Sequence, residues 1–406
     1  MNMHKLSLFF SIVFFLLGCL TNFAQSDITT LSGQVLDQKT LEPIPFASVY
    51  IKSQSIGTVT NEEGYFTFYI PSKRKMDIII ISVIGYVSVS KKANTFKENQ
   101  QIFLSTRTTN LETVIITSTK DKKLTAKEIV KKAYQEIKNN YPTKPYILEG
   151  YVRDLQKEDD KYVEYLECAA KLFYQGYAIK KEPLVELVEV RTKYLTEKNP
   201  WNKNSERKNS IIDLVEDDFI RFDYGPIKGK NGWKYELDGV LPYNERLVYK
   251  IKGVDKPFQS ATLFIDTETF AFVRMELTRQ AINNRSWARK FTNGALQVHY
   301  NVVFEYQEYK GKMYLKYQKE EDTWKIFEGL ESKKLLFVQY PKKELFINNI
   351  IIDDVHNYPF LKNMNISESI ENQAKEYNLD FWSTYNIPQQ TAAESKIILE
   401  LKKRVD

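Results

Sequence analysis

From Thr30 to Leu104, short alternating or fully apolar runs are separated by turn residues, the pattern of strands that each bury one face. Leu31 to Leu36 and Phe46 to Lys52 read as strands, and Glu42-Pro43-Ile44-Pro45 breaks the chain between them. Gly57-Thr58-Val59-Thr60 leads into Asn61-Glu62-Glu63-Gly64, a turn in which Gly64 takes a positive φ without a Cβ clash. Tyr65 to Ile70 alternates, Ile78 to Val83 is apolar throughout and suits a central strand, and another strand follows Gly85-Tyr86. The spacing predicts a β-sandwich over residues 28–106.

A linker over 107–124 then gives way to a helical pattern. Thr125-Ala126-Lys127-Glu128 is a capping box, with Leu124 and Ile129 placed for a hydrophobic staple. Ile129, Val130, Ala133, Tyr134 and Ile137 make one apolar stripe, and the opposite, lysine-rich face reads as a solvated surface, with anionic lipid headgroups as its alternative contact. The helix should end before Pro142. From Pro145 to about Asp354 the chain is again mostly strands: Leu247 to Lys252, Ala261 to Ile265, Phe270 to Leu277, Val298 to Tyr306 and Met313 to Tyr317 alternate or nearly so. Asp266-Thr267-Glu268-Thr269 and Tyr309-Lys310-Gly311-Lys312 are hairpin turns. One long antiparallel meander is expected, covered on a face by the helix, within a unit spanning 125–365. A helical tail over 366–406 carries an aromatic anchor, Phe381-Trp382-Ser383-Thr384-Tyr385, and a second capping box, Thr391-x-x-Glu394. The predicted class is mainly β with a few helices: an N-terminal sandwich, a helix and a long curved sheet, an α+β arrangement open to a half-barrel.

The first residues place Lys5 ahead of the apolar run Leu6 to Leu20, followed by small polar residues, the order of a secretory signal over 1–26. The run is shorter than the roughly 20 residues of a permanent membrane helix. Cleavage after Ala24 or after Ser26 is expected. Within the run, Leu16-Leu17-Gly18-Cys19 resembles a bacterial lipobox and makes Cys19 the candidate lipidated residue. Without the signal only Cys168 is certain to remain, so the soluble mature chain forms no intrachain disulfide, which fits a Gram-negative periplasm or outer-membrane association better than a cysteine-stapled secreted protein. A net charge of +6 is too mild at this length to suggest nucleic acid. Aromatic residues at 14%, against only 15 Gly in 406 residues, favour strands over disorder.

Several motifs in the first unit are specific in combination. Gly33-x-Val35-x-Asp37, Pro43-Ile44-Pro45-Phe46-Ala47-Ser48-Val49, Gly57-Thr58-x-Thr60-Asn61-x-x-Gly64-Tyr65-Phe66 and Ile84-Gly85-Tyr86 occur in the order of the carboxypeptidase-regulatory-like domain, a transthyretin-like sandwich that this segment resembles. The resemblance implies an accessory module without catalytic residues, attached to peptidases, surface proteins and TonB-dependent receptors of the Bacteroidetes. Leu111 to Thr117 resembles the link from this module to a receptor plug, but the chain is too short for a 22-stranded receptor barrel. Asn140-Tyr141-Pro142-Thr143-Lys144-Pro145, Gly150-Tyr151-x-Arg153 and Leu263 to Phe270 are similar to a family of uncharacterised Bacteroidetes envelope proteins with the same sandwich before a β-rich region. The helix and meander also resemble, in architecture alone, the half-barrel of periplasmic lipoprotein carriers.

Candidate chemistry is sparse. Of three histidines, His4 leaves with the signal, His299 reads as a surface strand residue, and His356 with Asp353 offers two metal ligands without a third. Glu216-Asp217-Asp218 and Glu320-Glu321-Asp322 read as solvated turns, lacking the spacing of a calcium loop. Cys168 reads as a buried small residue. There is no G-x-S-x-G, Walker A or H-E-x-x-H motif. No catalytic residue, cofactor or metal is nominated, and carboxypeptidase activity is not expected. The expected function is that of a non-enzymatic cell-envelope binding or scaffold module for a lipid, a glycan or an envelope protein, reaching the membrane through Cys19 or the basic helix face. A small outer-membrane barrel built from the strands of 145–354 and an unrecognised hydrolase are the alternatives. An open apolar interior would favour a carrier, and a filled one a scaffold.

Overall fold

The computed structural model describes residues 28–106, 124–194, 210–216, 218–223, 225–228, 232–256, 258–280, 294–329, 332–358, 364, 365, 368, 370, 373 and 378–403. The expected signal over 1–26, with Cys19, Ala24 and Ser26, and the segment 111–117 expected to resemble a receptor link lie outside them.

Seven strands come first: β1 (Ile28–Asp37), β2 (Ser48–Ile51), β3 (Gly57–Val59), β4 (Tyr65–Pro71), β5 (Ile78–Ser82), β6 (Val89–Lys92) and β7 (Gln100–Leu104). They form two sheets, β4-β1-β7 and β3-β2-β5-β6. Alternate residues of facing strands, Phe66, Phe68 and Ile70 on one side and Val49, Ile51, Ile79 and Ile81 on the other, meet in one buried core. Gly64 has φ +76° in its turn, and a Cβ there would stand 2.6 Å from the Val35 carbonyl oxygen. Phe46 is not the strand residue its sequence suggests: β2 begins at Ser48, and Phe46 has φ +56°, a sparsely populated region for a bulky residue.

Helix α1 (Ala126–Asn140) starts at the expected capping box, with Thr125 Oγ1 accepting from the Glu128 amide and the Glu128 carboxylate accepting from the Thr125 amide. Ile129, Val130 and Ala133 are buried, whereas Leu124, the expected staple partner, stays 43% exposed. Lys127, Lys131, Lys132 and Lys138 lie exposed on the opposite side.

Ten strands then build one antiparallel sheet: β8 (Tyr146–Glu158), β9 (Lys161–Tyr174), β10 (Leu184–Tyr194), β11 (Lys234–Tyr243), β12 (Arg246–Lys256), β13 (Gln259–Asp266), β14 (Phe272–Gln280), β15 (Ala295–Tyr309), β16 (Lys312–Phe327) and β17 (Leu335–Ile351). Their order is β10-β9-β8-β17-β16-β15-β14-β13-β12-β11. The meander is thus broken once: the chain leaves edge strand β10, re-enters at the far edge in β11, and winds back until β17 pairs with β8. Between those edges come two helices that the strand-dominated reading missed, α2 (Ser210–Glu216) and α3 (Phe219–Phe222). The edges β10 and β11 do not pair, so the sheet is open and the small-barrel alternative fails. No helix among the described residues is long and apolar enough to cross a membrane.

Because strand side chains alternate between faces, each face can be covered separately. Helices α1 to α3 cover one face. The sandwich covers the other, together with the C-terminal helices α4 (Leu379–Thr384) and α5 (Ala392–Lys403). Gly64→Ala is expected to lower unfolding stability by more than about 1 kcal/mol, since both the backbone angle and the Val35 carbonyl oppose a Cβ. Urea denaturation of the purified chain measures it, and an unchanged midpoint would contradict the turn geometry.

Candidate functional site

On the helix-covered face, strand register aligns one row across all ten strands: Val190, Cys168, Val152, Leu345, Gln318, Phe304, Met275, Leu263, Ile251 and Leu237. Nine of the ten are apolar, the surface that an acyl ligand would seek. The chain itself fills it. Helix α2 lies against β16 and β17, burying Ile211, Ile212, Leu214 and Val215, while Phe219 of α3 packs on Phe304 with ring centroids 4.8 Å apart. A helix apolar on nearly every side is one built for an interior. Two polar contacts tie it to the sheet: Asp213 pairs with Lys343, and the single polar member of the row, Gln318, donates to the Leu214 carbonyl.

Arg221, 1% exposed, holds α3 in place. Its guanidinium donates to Tyr146 Oη at 2.7 Å and the Gly176 carbonyl at 3.0 Å, and lies over the rings of Tyr174 and Tyr177 at 4.1 and 4.4 Å. Asp218 caps the helix by accepting from the amides of Ile220 and Arg221 and from Tyr306 Oη, and sits 3.8 Å from the Arg221 guanidinium. Burial raises its carboxyl above the usual range, against the pull of Arg221. Asp218 is therefore not part of a solvated turn, and neither are Glu320 and Asp322, which lie buried in mid-strand β16. Asp218 finds most of its partners locally, in Ile220 and Arg221, whereas Asp322 accepts from Gln297 on β15, a partner distant in the chain.

The sandwich-covered face carries a different row. Arg191, Glu167, Arg153, Glu344 and Lys319 are successive cross-strand neighbours on β10, β9, β8, β17 and β16, a ladder of alternating charge. Opposite charges placed directly across a ladder attract. Three of its members, Arg153, Glu167 and Glu344, are at most 3% exposed. Glu167 is held by Arg191 and by Tyr151 Oη, with Arg153 at 3.6 Å, while Tyr317 Oη donates to Glu344 at 2.9 Å. With three cations and two anions the ladder is uneven, and Glu394 of α5 supplies the missing anion, 2.9 Å from Arg153. Burial pushes the Glu167 carboxyl up to about 7, outweighing Arg191, and the charge of Glu394 adds to the rise.

An aromatic row runs beside the ladder. Tyr151, Phe346 and Tyr317 are cross-strand neighbours, and Phe46 of the sandwich stacks on Tyr317 at 5.4 Å, which is where its positive φ aims the ring. Ser48 donates to Glu305, itself paired with Lys316 and Arg274 at 3.0 Å each, and Lys342 meets Glu62 at 2.7 Å. These bonds seat the sandwich on the sheet. The expected aromatic anchor is in place, with Trp382 packed against Tyr151 and over the Arg191 guanidinium at 4.4 Å.

Other candidates from the sequence do not converge. Cys168 is buried in the apolar row, as expected of a small core residue. His299 is half-buried in β15, cross-strand from Gln280 and Thr323. His356 falls in the turn Val355–Asn357, and its side chain lies outside the described residues. Among the described residues no three His, Cys, Asp or Glu side chains are grouped to hold a metal. Of the ladder, only Arg153 stood in a noticed motif.

The family match lies in the sandwich. Residues 31–116 match the model of the CarboxypepD_reg-like domain. The match runs from within β1 through β7 and leaves the ten-stranded sheet unassigned. No protein of curated function matches the chain. Among solved structures, the LolA superfamily protein NE2245 from Nitrosomonas europaea is similar at 10% identity and TM-score 0.23, covering 59% of this chain and 99% of that one. A DUF1329 family protein from Desulfovibrio piger gives 10% and 0.26, covering 57% and 95%. The MucA/MucB complex structure from Pseudomonas aeruginosa gives 6% and 0.17, covering 55% and 93%. TM-scores this low carry no functional weight.

Two outcomes follow for the buried charges. Arg221→Ala should cost about 3–5 kcal/mol, because it leaves Asp218 buried without its cation; chemical denaturation tests this, and a loss comparable to an exposed arginine would contradict the burial. For Glu167, a folded-state value near 7 against an ordinary 4.5 means that the folded protein retains a proton which the unfolded chain has released. Its contribution is complete below about 4.5 and is lost as pH rises through 7, so Glu167→Gln should flatten the decline of Tm between pH 5 and 8. Parallel profiles for the two proteins would refute that assignment.

Proposed function

We propose that the chain is a non-enzymatic cell-envelope scaffold, exported by the segment 1–26, that holds a carboxypeptidase-regulatory-like sandwich rigidly on a large open sheet and presents that junction to an envelope protein. One observation carries the reading: the largely apolar row of the sheet is occupied by the chain's own helices, anchored by Arg221 and Asp213, rather than left open. Displacing α2 and α3 would expose at least Ile211, Ile212, Leu214, Val215, Phe219 and Ile220, each worth about 1.5–3 kcal/mol in burial. That favours a scaffold over an acyl carrier. The sandwich over 28–106, the sheet unit over 125–365 and the tail over 366–406 are the working units, and export ends with cleavage after Ala24 or Ser26.

Titration of the purified protein with a dansyl-labelled fatty acid should give only the linear, unsaturable fluorescence of surface contact. Saturable one-to-one uptake would defeat the scaffold reading. Intact-mass measurement of the protein recovered from the envelope should show a chain beginning at Gln25 or Asp27; a diacylated Cys19 terminus would replace cleavage there with lipid anchoring.

A further inference from the structure

The junction between the sandwich and the sheet is closed by the last described segment, Asn378–Lys403, which runs along it as a strap. Three kinds of contact hold the strap, each at a different surface. An aromatic anchor comes first: Trp382 sits edge-on to Tyr151 over the Arg191 guanidinium, and Tyr385 Oη donates to the Gly150 carbonyl at 3.0 Å. Next, the Asn386 side chain behaves as a piece of strand. Its amide donates to the Tyr69 carbonyl at 3.0 Å and its oxygen accepts from the Tyr69 amide at 2.8 Å, so it pairs with the outer edge of β4, which has β1 as its one strand neighbour. Last comes the acid: Glu394 reaches Arg153 at 2.9 Å and evens out the charge ladder.

Among the described residues, two asparagines pair with the outer edge of β4. Asn61 closes it at Tyr65, through its backbone amide to the Tyr65 carbonyl and its side-chain oxygen to the Tyr65 amide, and Asn386 closes it at Tyr69. An exposed strand edge is a template for another polypeptide, and natural edges are commonly covered. Here part of the cover is a side chain from a segment that is anchored at its start and exposed along much of its last helix. In α5 the residues Ala392, Ala393 and Lys396 are exposed and Leu399 is 56% exposed, whereas Glu394 is buried with the capping Thr391.

We propose that this groove is a polypeptide-binding site, occupied in cis by the C-terminal strap and opened when a segment of an envelope protein with the same chemistry displaces it. The recognised segment carries an aromatic anchor, a strand-pairing amide and an acid in the order Trp382, Asn386, Glu394. Its acid meets the cation-rich ladder, its amide or backbone meets β4, and its ring enters the slot between Tyr151 and Arg191. This rests on the scaffold reading above and names its partner class, but it concerns the opposite face of the sheet. Fatty-acid uptake on the helix side would overturn that reading without altering the peptide measurement below.

The test uses the full-length protein and a fluorescein-labelled peptide of residues 378–403 as probe. In the double variant Asn386→Ala, Glu394→Gln the strap is weakened while every groove residue is unchanged, so apparent affinity for the probe in anisotropy should rise about tenfold or more over wild type as the open fraction grows. Amide exchange at Tyr69 should accelerate in the same variant, and added probe should restore its protection. A probe carrying Glu394→Gln should bind the variant more weakly than the native probe. Should the double variant fail to fold, Asn386→Ala alone is expected to show the same rises to a smaller degree. Unchanged exchange at Tyr69, equal probe affinity for wild type and variant, or equal binding of the two probes would each overturn the proposal.

Discussion

The pairing of β17 with β8 is the constraint on which the rest of the molecule depends. It places the chain's first and last large-sheet strands side by side inside the sheet, third and fourth from one edge, and pushes β10 and β11, consecutive in sequence, to opposite edges. Ten strands spaced about 4.8 Å apart span roughly 40 Å. The chain must bridge that width between β10 and β11, and the described part of the bridge, α2 and α3, lies over the sheet's middle strands. The apolar row is filled for a topological reason: the return path needs the same surface that a ligand would use.

With one face occupied by the bridge, the opposite face is left to receive the sandwich, and it does so mainly with charge and aromatic rings. Buried ion pairs give little net stability, because desolvation offsets most of the attraction, but breaking one leaves a stranded charge that is costly. A ladder of five alternating charges, partnered by Glu394, therefore selects one seating for the strap more than it strengthens the fold. Phe46 on Tyr317 and Ser48 on Glu305 act in the same sense for the sandwich, each admitting one register of the two bodies.

Alternation made the sandwich strands and the meander from β12 to β15 legible, because each strand buries one face against a single neighbouring layer. The two capping boxes at Thr125 and Thr391 were equally plain, being local. Ile211-Ile212-Asp213-Leu214-Val215 escaped because it is short and apolar on nearly every side, so no 3.6-residue period separates it from a buried strand. The charge ladder escaped for another reason. Arg153, Glu167, Arg191 and Glu344 each stand alone in sequence, and only strand register brings them into line. Phe46 gave no sign of its positive φ, and the ring it stacks on is more than 250 residues away.

The β8–β17 pairing also governs when this protein can fold. Residues near 150 wait for residues near 346, a separation that slows folding because loop closure precedes the contacts that reward it. Until β17 emerges, β8, β9 and β10 form at most a three-stranded fragment with an uncovered apolar face and one edge destined for a strand not yet present. While that edge is unpaired it is a template for other chains, so the partly folded protein assembles correctly only when its exposed strands are kept from one another.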